Sequence, residues 1–115
     1  MGLINKTPKK TPEEIIEVEV DILENILSHV MDPEIEIDIV NLGLIYELNY
    51  DGRKKVDIEM TMSTPACPLS DAIVNNVKES IKQKYPDFTV NVKVVFEPRW
   101  HAGMISDAGR EMLGM

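Results

Sequence analysis

At 115 residues the chain has the length of one domain, enough to build a hydrophobic core without disulfides or a structural metal. A formal net charge of −8 argues against a nucleic-acid binder, whose affinity comes from clustered Lys and Arg. The one cysteine, Cys67, excludes an internal disulfide framework and a paired-cysteine zinc site; with no bilayer-length apolar run and no secretory signal pattern, the expected compartment is the reducing cytoplasm.

Residues 1–10 are polar, with Lys6, Lys9 and Lys10 and no apolar period, and are expected to form a flexible leader before a single domain over 11–115. Thr11-Pro12-Glu13-Glu14 supplies an N-cap, a proline at the first helical position and a glutamate three places after the cap, a capping-box arrangement. The helix it opens is expected to reach about Val30, burying Ile15, Ile22, Leu23, Ile26, Leu27 and Val30, although Ile16 to Val20 also alternates like a strand. His29, without a second ligand at helical spacing, reads as a surface or helix-end residue. Asp32-Pro33-Glu34 ends this helix. A strand over Ile39–Tyr50 is then expected, with Leu42, Leu44, Tyr46 and Leu48 on one face and Gly43 marking a bulge or a close backbone approach.

Asp51-Gly52 is a hairpin turn signal that pairs this strand antiparallel with 55–62. Leu69, Ile73, Val77 and Ile81 repeat every four residues, predicting a helix over 68–84 with Pro68 at its first position. Asp71 near its start and Lys78, Lys82 and Lys84 toward its end match the helix dipole. Val90, Val92, Val94 and Phe96 read as the inward face of a third strand. Residues 99–104 read as loop, and Ser106 caps a short helix ending at Gly114. The order is αββαβ plus a terminal helix: an α+β two-layer sandwich, with a three-stranded mixed sheet covered by two main helices through a right-handed crossover.

Cys67 falls where the second strand should turn into the second helix. A thiol at a helix N-terminus feels the positive end of the dipole, which favours thiolate, the form that attacks disulfides and binds soft metals. A lone cysteine is also commonly a small inert core residue. The local pattern leaves both readings open.

Asp32-Pro33-Glu34, Asn41-Leu42-Gly43-Leu44-Ile45-Tyr46, Thr64-Pro65-Ala66-Cys67-Pro68-Leu69, and Trp100 with Met104-Ile105-Ser106 occur in that order. Together they resemble the SufT/PaaD-like family of iron–sulfur cluster assembly factors, over about residues 11–114. Ser63 stands where relatives often carry Thr, Ala66 replaces a common Gly, and Arg99-Trp100-His101 replaces a more proline-rich stretch. The resemblance implies a small non-enzymatic accessory factor of the αββαβ fold that helps deliver clusters to apoproteins, sometimes beside a P-loop scaffold ATPase. By it, Cys67 matches the motif cysteine, Asp32 and Glu34 the acidic pair in its loop, and Thr64, with Ser63 before it, a supporting hydroxyl; that Cys67 is a transient cluster ligand and that Trp100 and His101 meet partners are expectations added to that match. It implies cluster scaffolds or carriers and apo-targets as partners.

An iron–sulfur cluster needs about four protein ligands, mostly thiolates, and this chain offers one. Three routes remain: two chains sharing a cluster across a two-fold axis, Cys67 sharing one with a partner, or no metal contact. The alternative to a thiol ligand is a metal-free adaptor docking its partners through Trp100 and the C-terminal rim. A local structural duty also stands beside each assigned role: Asp32 as a turn acceptor, Thr64 as a helix cap, Trp100 as a core plug.

Overall fold

The computed structural model describes residues 9–64 and 70–114. Helix α1 spans Pro12–Asp21, and its capping box forms: the Thr11 hydroxyl accepts from the Glu14 amide while the Glu14 carboxylate accepts from the Thr11 amide. The α-helix expected to run unbroken to Val30 stops at Asp21. One π-helical turn, Ile22–Ile26, and a 3₁₀ turn, Leu27–His29, complete the segment. Ile22, Ile26, Leu27 and Val30 are buried across these turns, as the helical spacing predicts, whereas Ile15 and Leu23 are half-covered and Ile16 and Val20 stay exposed.

The sheet has the order β1-β2-β3, with β1 Ile45–Tyr50, β2 Lys55–Met60 and β3 Thr89–Val94. β1 pairs antiparallel with β2, and β2 pairs parallel with β3. The hairpin turn forms at Asp51-Gly52: the Asp51 carboxylate accepts from the amides of Arg53, Lys54 and Lys55, and Gly52 takes φ +87°. Helix α2, Ser70–Lys84 in the described residues, returns the chain from β2 to β3 and buries Ile73, Val77 and Ile81, each worth roughly 2 kcal/mol of apolar transfer. The N-cap at Ser106 forms before α3, Asp107–Met112, and Gly114 beyond it has φ +75°.

Three further expectations need correction. Residues 39–43 are turns rather than strand, and Leu44 lies just before the strand. Leu42 and Leu44 are fully buried, so apolar alternation reports burial here without extended pairing, and β1 begins only at Ile45. Phe96 lies past the end of β3 and is 42% exposed, and not on the inward face with Val90. Residues 99–104 include a 3₁₀ turn, Ala102–Met104, besides loop.

Side chains of Val56, Ile58 and Met60 face the helices and are buried, while Glu47, Asn49, Asp57, Asn91 and Lys93 on the opposite face are exposed. At the hairpin end of the sheet, Tyr50, Phe88 and Tyr85 stack with ring centroids 5.0 and 4.5 Å apart. Lys10 packs there too, its amide donating to the Gly52 carbonyl and its ammonium lying 5.8 Å from the Tyr50 ring centre. Asp21 accepts from Lys84, Tyr85 and Asn25; the Lys84 ammonium foremost, then the Tyr85 hydroxyl, holds the Asp21 carboxyl down at about 2. Burial, then the bond to Asp21, pushes the Tyr85 phenol up to about 12.

Candidate functional site

The strand register defines the other end of the sheet. Ile45, Met60 and Val94 are aligned neighbours, so the start of β1 and the ends of β2 and β3 lie side by side. From there β2 leads through Thr61–Thr64 toward Cys67, and β3 leads into the C-terminal segment. A run of backbone bonds knits the neighbouring turns to this edge: Thr61 N to Leu44 O, 2.8 Å; Leu44 N to Ile39 O, 3.0 Å; Ile39 N to Val30 O, 2.9 Å. The Val95 amide donates to Met60 O at 2.8 Å and anchors the exit of β3. The Asp32 turn, the Ser63-Thr64 exit and the C-terminal segment are therefore held at one pole of the molecule.

Cys67 lies outside the described residues, together with Pro65, Ala66, Pro68 and Leu69. Its anchors on both sides are described. Ser63 is half-buried and Thr64 exposed, and α2 is formed from Ser70 onward. The Thr61 hydroxyl is fully buried and has no hydrogen-bond partner among the described residues.

The acidic turn is built by its own aspartate. Asp32 is 2% exposed, and its Oδ1 accepts from the amides of Glu34 at 2.8 Å and Ile35 at 3.1 Å. The Asp32 amide donates to Ile37 O, and Glu36 takes φ 64° to close the turn. Glu34 stands exposed on the turn that Asp32 shapes. His29 lies elsewhere, in a groove with Asn25, Ser80 and Gln83 between the first helical segment and α2. Among the described residues, no group of three His, Cys, Asp or Glu side chains could hold a metal ion.

Asp38 was not singled out from the sequence, yet it is buried and organises the rim. Its carboxylate accepts from the Asn41 amide at 2.9 Å and from Asn41 Nδ2 at 2.8 Å. Asn41, so oriented, accepts at Oδ1 from the Ser106 hydroxyl at 2.6 Å, while its carbonyl accepts from the Ser106 amide at 2.8 Å. The signal was present in the sequence: an aspartate three places before an asparagine and a glycine-ended apolar turn is a side-chain-to-backbone turn pattern.

Trp100 is half-buried against the core, and its indole Nε1 donates to the Leu42 carbonyl at 2.7 Å. It braces the C-terminal segment on the turn that follows Asn41. His101 is exposed, its Nδ1 accepting from the Gly103 amide at 3.1 Å to cap the 3₁₀ turn. Gly43 has φ +79°, and a Cβ placed there would come within 2.4 Å of the Met104 carbonyl oxygen. The expected close backbone approach is thus found at this glycine. No helix of the described residues is long and apolar enough to cross a membrane.

A family model described as "Iron-sulfur cluster assembly protein" matches residues 20–94. The chain is 35% identical over 86 residues to the Fe-S protein maturation auxiliary factor SufT of Staphylococcus aureus, covering 75% of this chain and 98% of that one. It is 33% identical over 101 residues to a Fe-S protein maturation auxiliary factor of Porphyromonas gingivalis, covering 88% of this chain and 95% of that one. A crystal structure of a domain of unknown function from Bacillus anthracis superposes with a TM-score of 0.84 at 33% identity, over 91% of this chain and 99% of that one.

Proposed function

This chain belongs to the iron–sulfur cluster assembly protein family and has a role in iron–sulfur cluster maturation, and on that premise we propose that it passes clusters to apoproteins with Cys67 as a transient ligand. The observation that carries the reading is the near-complete overlap with a maturation auxiliary factor, 98% of its length, in a chain with one thiol. One cysteine against a need for about four ligands supports a cargo in transit rather than a resident cluster. The chemistry is ligand exchange. The Cys67 thiolate takes one iron position from a donor thiolate, which leaves as thiolate or takes a proton. A recipient cysteine thiolate then displaces Cys67 in the same way, with no change in electron count.

In this reading the buried Asp32 holds its turn, Glu34 and the Ser63 and Thr64 hydroxyls flank the exchanging sulfur, and Trp100 and His101 belong to the rim that meets partners. Those partners are cluster scaffolds or carriers, a P-loop scaffold ATPase among them, and the apo-targets; a two-fold pairing of two chains through Cys67 is the variant of the same chemistry. The protein works in the cytoplasm as an accessory factor with no catalytic step of its own. The test is transfer from a cluster-loaded scaffold to an iron–sulfur apoenzyme, followed by recovery of that enzyme's activity. Cys67→Ser should reduce transfer to the rate seen without the protein. Equal transfer by wild type and variant would overturn the thiol-ligand role and leave the docking adaptor.

A further inference from the structure

On the solvent face of the sheet, Glu47 of β1 stands directly opposite Glu59 of β2. Like charges in that position destabilise a strand pair. Neither carboxylate has an ion-pair partner among the described residues, and Lys93 stands beside Glu59 on β3, on the side away from Glu47. Glu59 also forms one wall of an open groove of about 560 Å³, whose other walls include Ile45, Tyr46, Pro98 and Met104. The groove is braced before anything enters it: the Tyr46 hydroxyl donates to Pro98 O at 2.6 Å and reaches Met104 Sδ at 3.6 Å. Its apolar walls include a methionine, which adapts to varied side chains. It sits at the pole where β2 leads into residues 65–69.

An apolar slot continuous with two mutually repelling carboxylates fits one kind of occupant. We propose that this face docks a partner segment that places an apolar side chain in the groove and a neighbouring Lys or Arg between Glu47 and Glu59. The partner is the protein that gives or receives the cluster, which rests on the function proposed above. A second copy of this chain would bring its own acidic face, and a chain of net charge −8 is repelled by anionic membranes and nucleic acids, so a basic–apolar protein segment is the complementary choice.

The probe is a short peptide of alternating Lys and Leu, titrated into the full ¹⁵N-labelled protein without any cluster. Amide shifts should move at Gly43, Ile45, Tyr46, Glu47, Glu59 and Met104, and the affinity should fall with salt. A matched peptide of Glu and Leu should not bind. Glu47→Gln combined with Glu59→Gln should weaken the Lys peptide severalfold while raising the unfolding midpoint, a pair of effects that loss of structure does not produce. Shifts centred instead on the exposed α1 carboxylates Glu13, Glu14 and Glu17, equal binding of both peptides, or no binding of the Lys peptide would overturn the proposal. Cys67→Ser should bind the peptide as wild type does, so failure here and failure of the transfer test are separate results.

Discussion

Gly43→Ala tests how the C-terminal segment is locked onto the site pole. Alanine at φ +79° costs about 1–2 kcal/mol from left-handed strain alone. The new Cβ would also lie 2.4 Å from Met104 O and 3.0 Å from its carbonyl carbon, a backbone wall that no rotamer change relieves, adding roughly 1–3 kcal/mol. Gly52→Ala is the internal control. It carries a similar φ of +87°, but its Cβ would meet Lys9 Cγ at 2.8 Å and Ile15 Cδ1 at 3.0 Å, both in side chains that can shift. The expected losses are therefore about 2–5 kcal/mol for Gly43→Ala and about 1–2 kcal/mol for Gly52→Ala. Strain at Gly43 relaxes by moving residues 98–106 outward, which breaks the bond from Trp100 Nε1 to Leu42 O. Trp100 is the sole tryptophan, so its emission reports that displacement directly. Urea unfolding followed by circular dichroism and tryptophan fluorescence measures both quantities. Equal losses for the two variants, with unchanged Trp100 emission in Gly43→Ala, would show that the Met104 backbone does not wall in this glycine.

Thr61→Val replaces a buried hydroxyl that has no hydrogen-bond partner among the described residues with a methyl of the same shape, and should stabilise the protein by about 1 kcal/mol, raising Tm by roughly 4 °C in calorimetry. Asp21 has its folded pKa depressed from 3.8 to about 2, so its contribution is complete above the unfolded pKa and is lost as pH falls through the folded one. Asp21→Asn should cost about 2 kcal/mol at neutral pH, an advantage of the wild type that fades between pH 4 and 2 in urea titrations. Removing the repulsion by Glu47→Gln should add about 0.2–1 kcal/mol of stability, read as a raised urea midpoint at unchanged m-value.

Short-range signals carried most of the fold. The Thr11–Glu14 capping box, the Asp51-Gly52 turn, the Ser106 cap and the Ile73–Val77–Ile81 stripe each formed where the side-chain chemistry placed them. Failures came where one local pattern serves two structures. Leu42 and Leu44 alternate as a strand would, yet they are buried by consecutive turns anchored on Asp38. The π turn at Ile22–Ile26 keeps the predicted residues Ile22, Ile26 and Leu27 buried, so the apolar spacing reads the same with or without it and carries no trace of it. Phe96 matched the phase of Val90 and Val94 but fell past the last residue with a strand partner. In the site, the acidic turn and the Trp100 segment could be named from their motifs. The Asp38–Asn41 turn has a local signal, but its tie to Ser106 spans 65 residues, and the apposition of Glu47 with Glu59 depends on strand register, so neither long-range contact could be assigned from local sequence.

Cluster passage through the Cys67 sulfur is tested most directly by native mass spectrometry of this protein mixed anaerobically with a cluster-loaded scaffold. The expected result is a complex in which the wild-type chain carries the added mass of iron and inorganic sulfide, and its loss in Cys67→Ser with the cluster-free complex retained. The same cluster-bearing species formed by Cys67→Ser would contradict it.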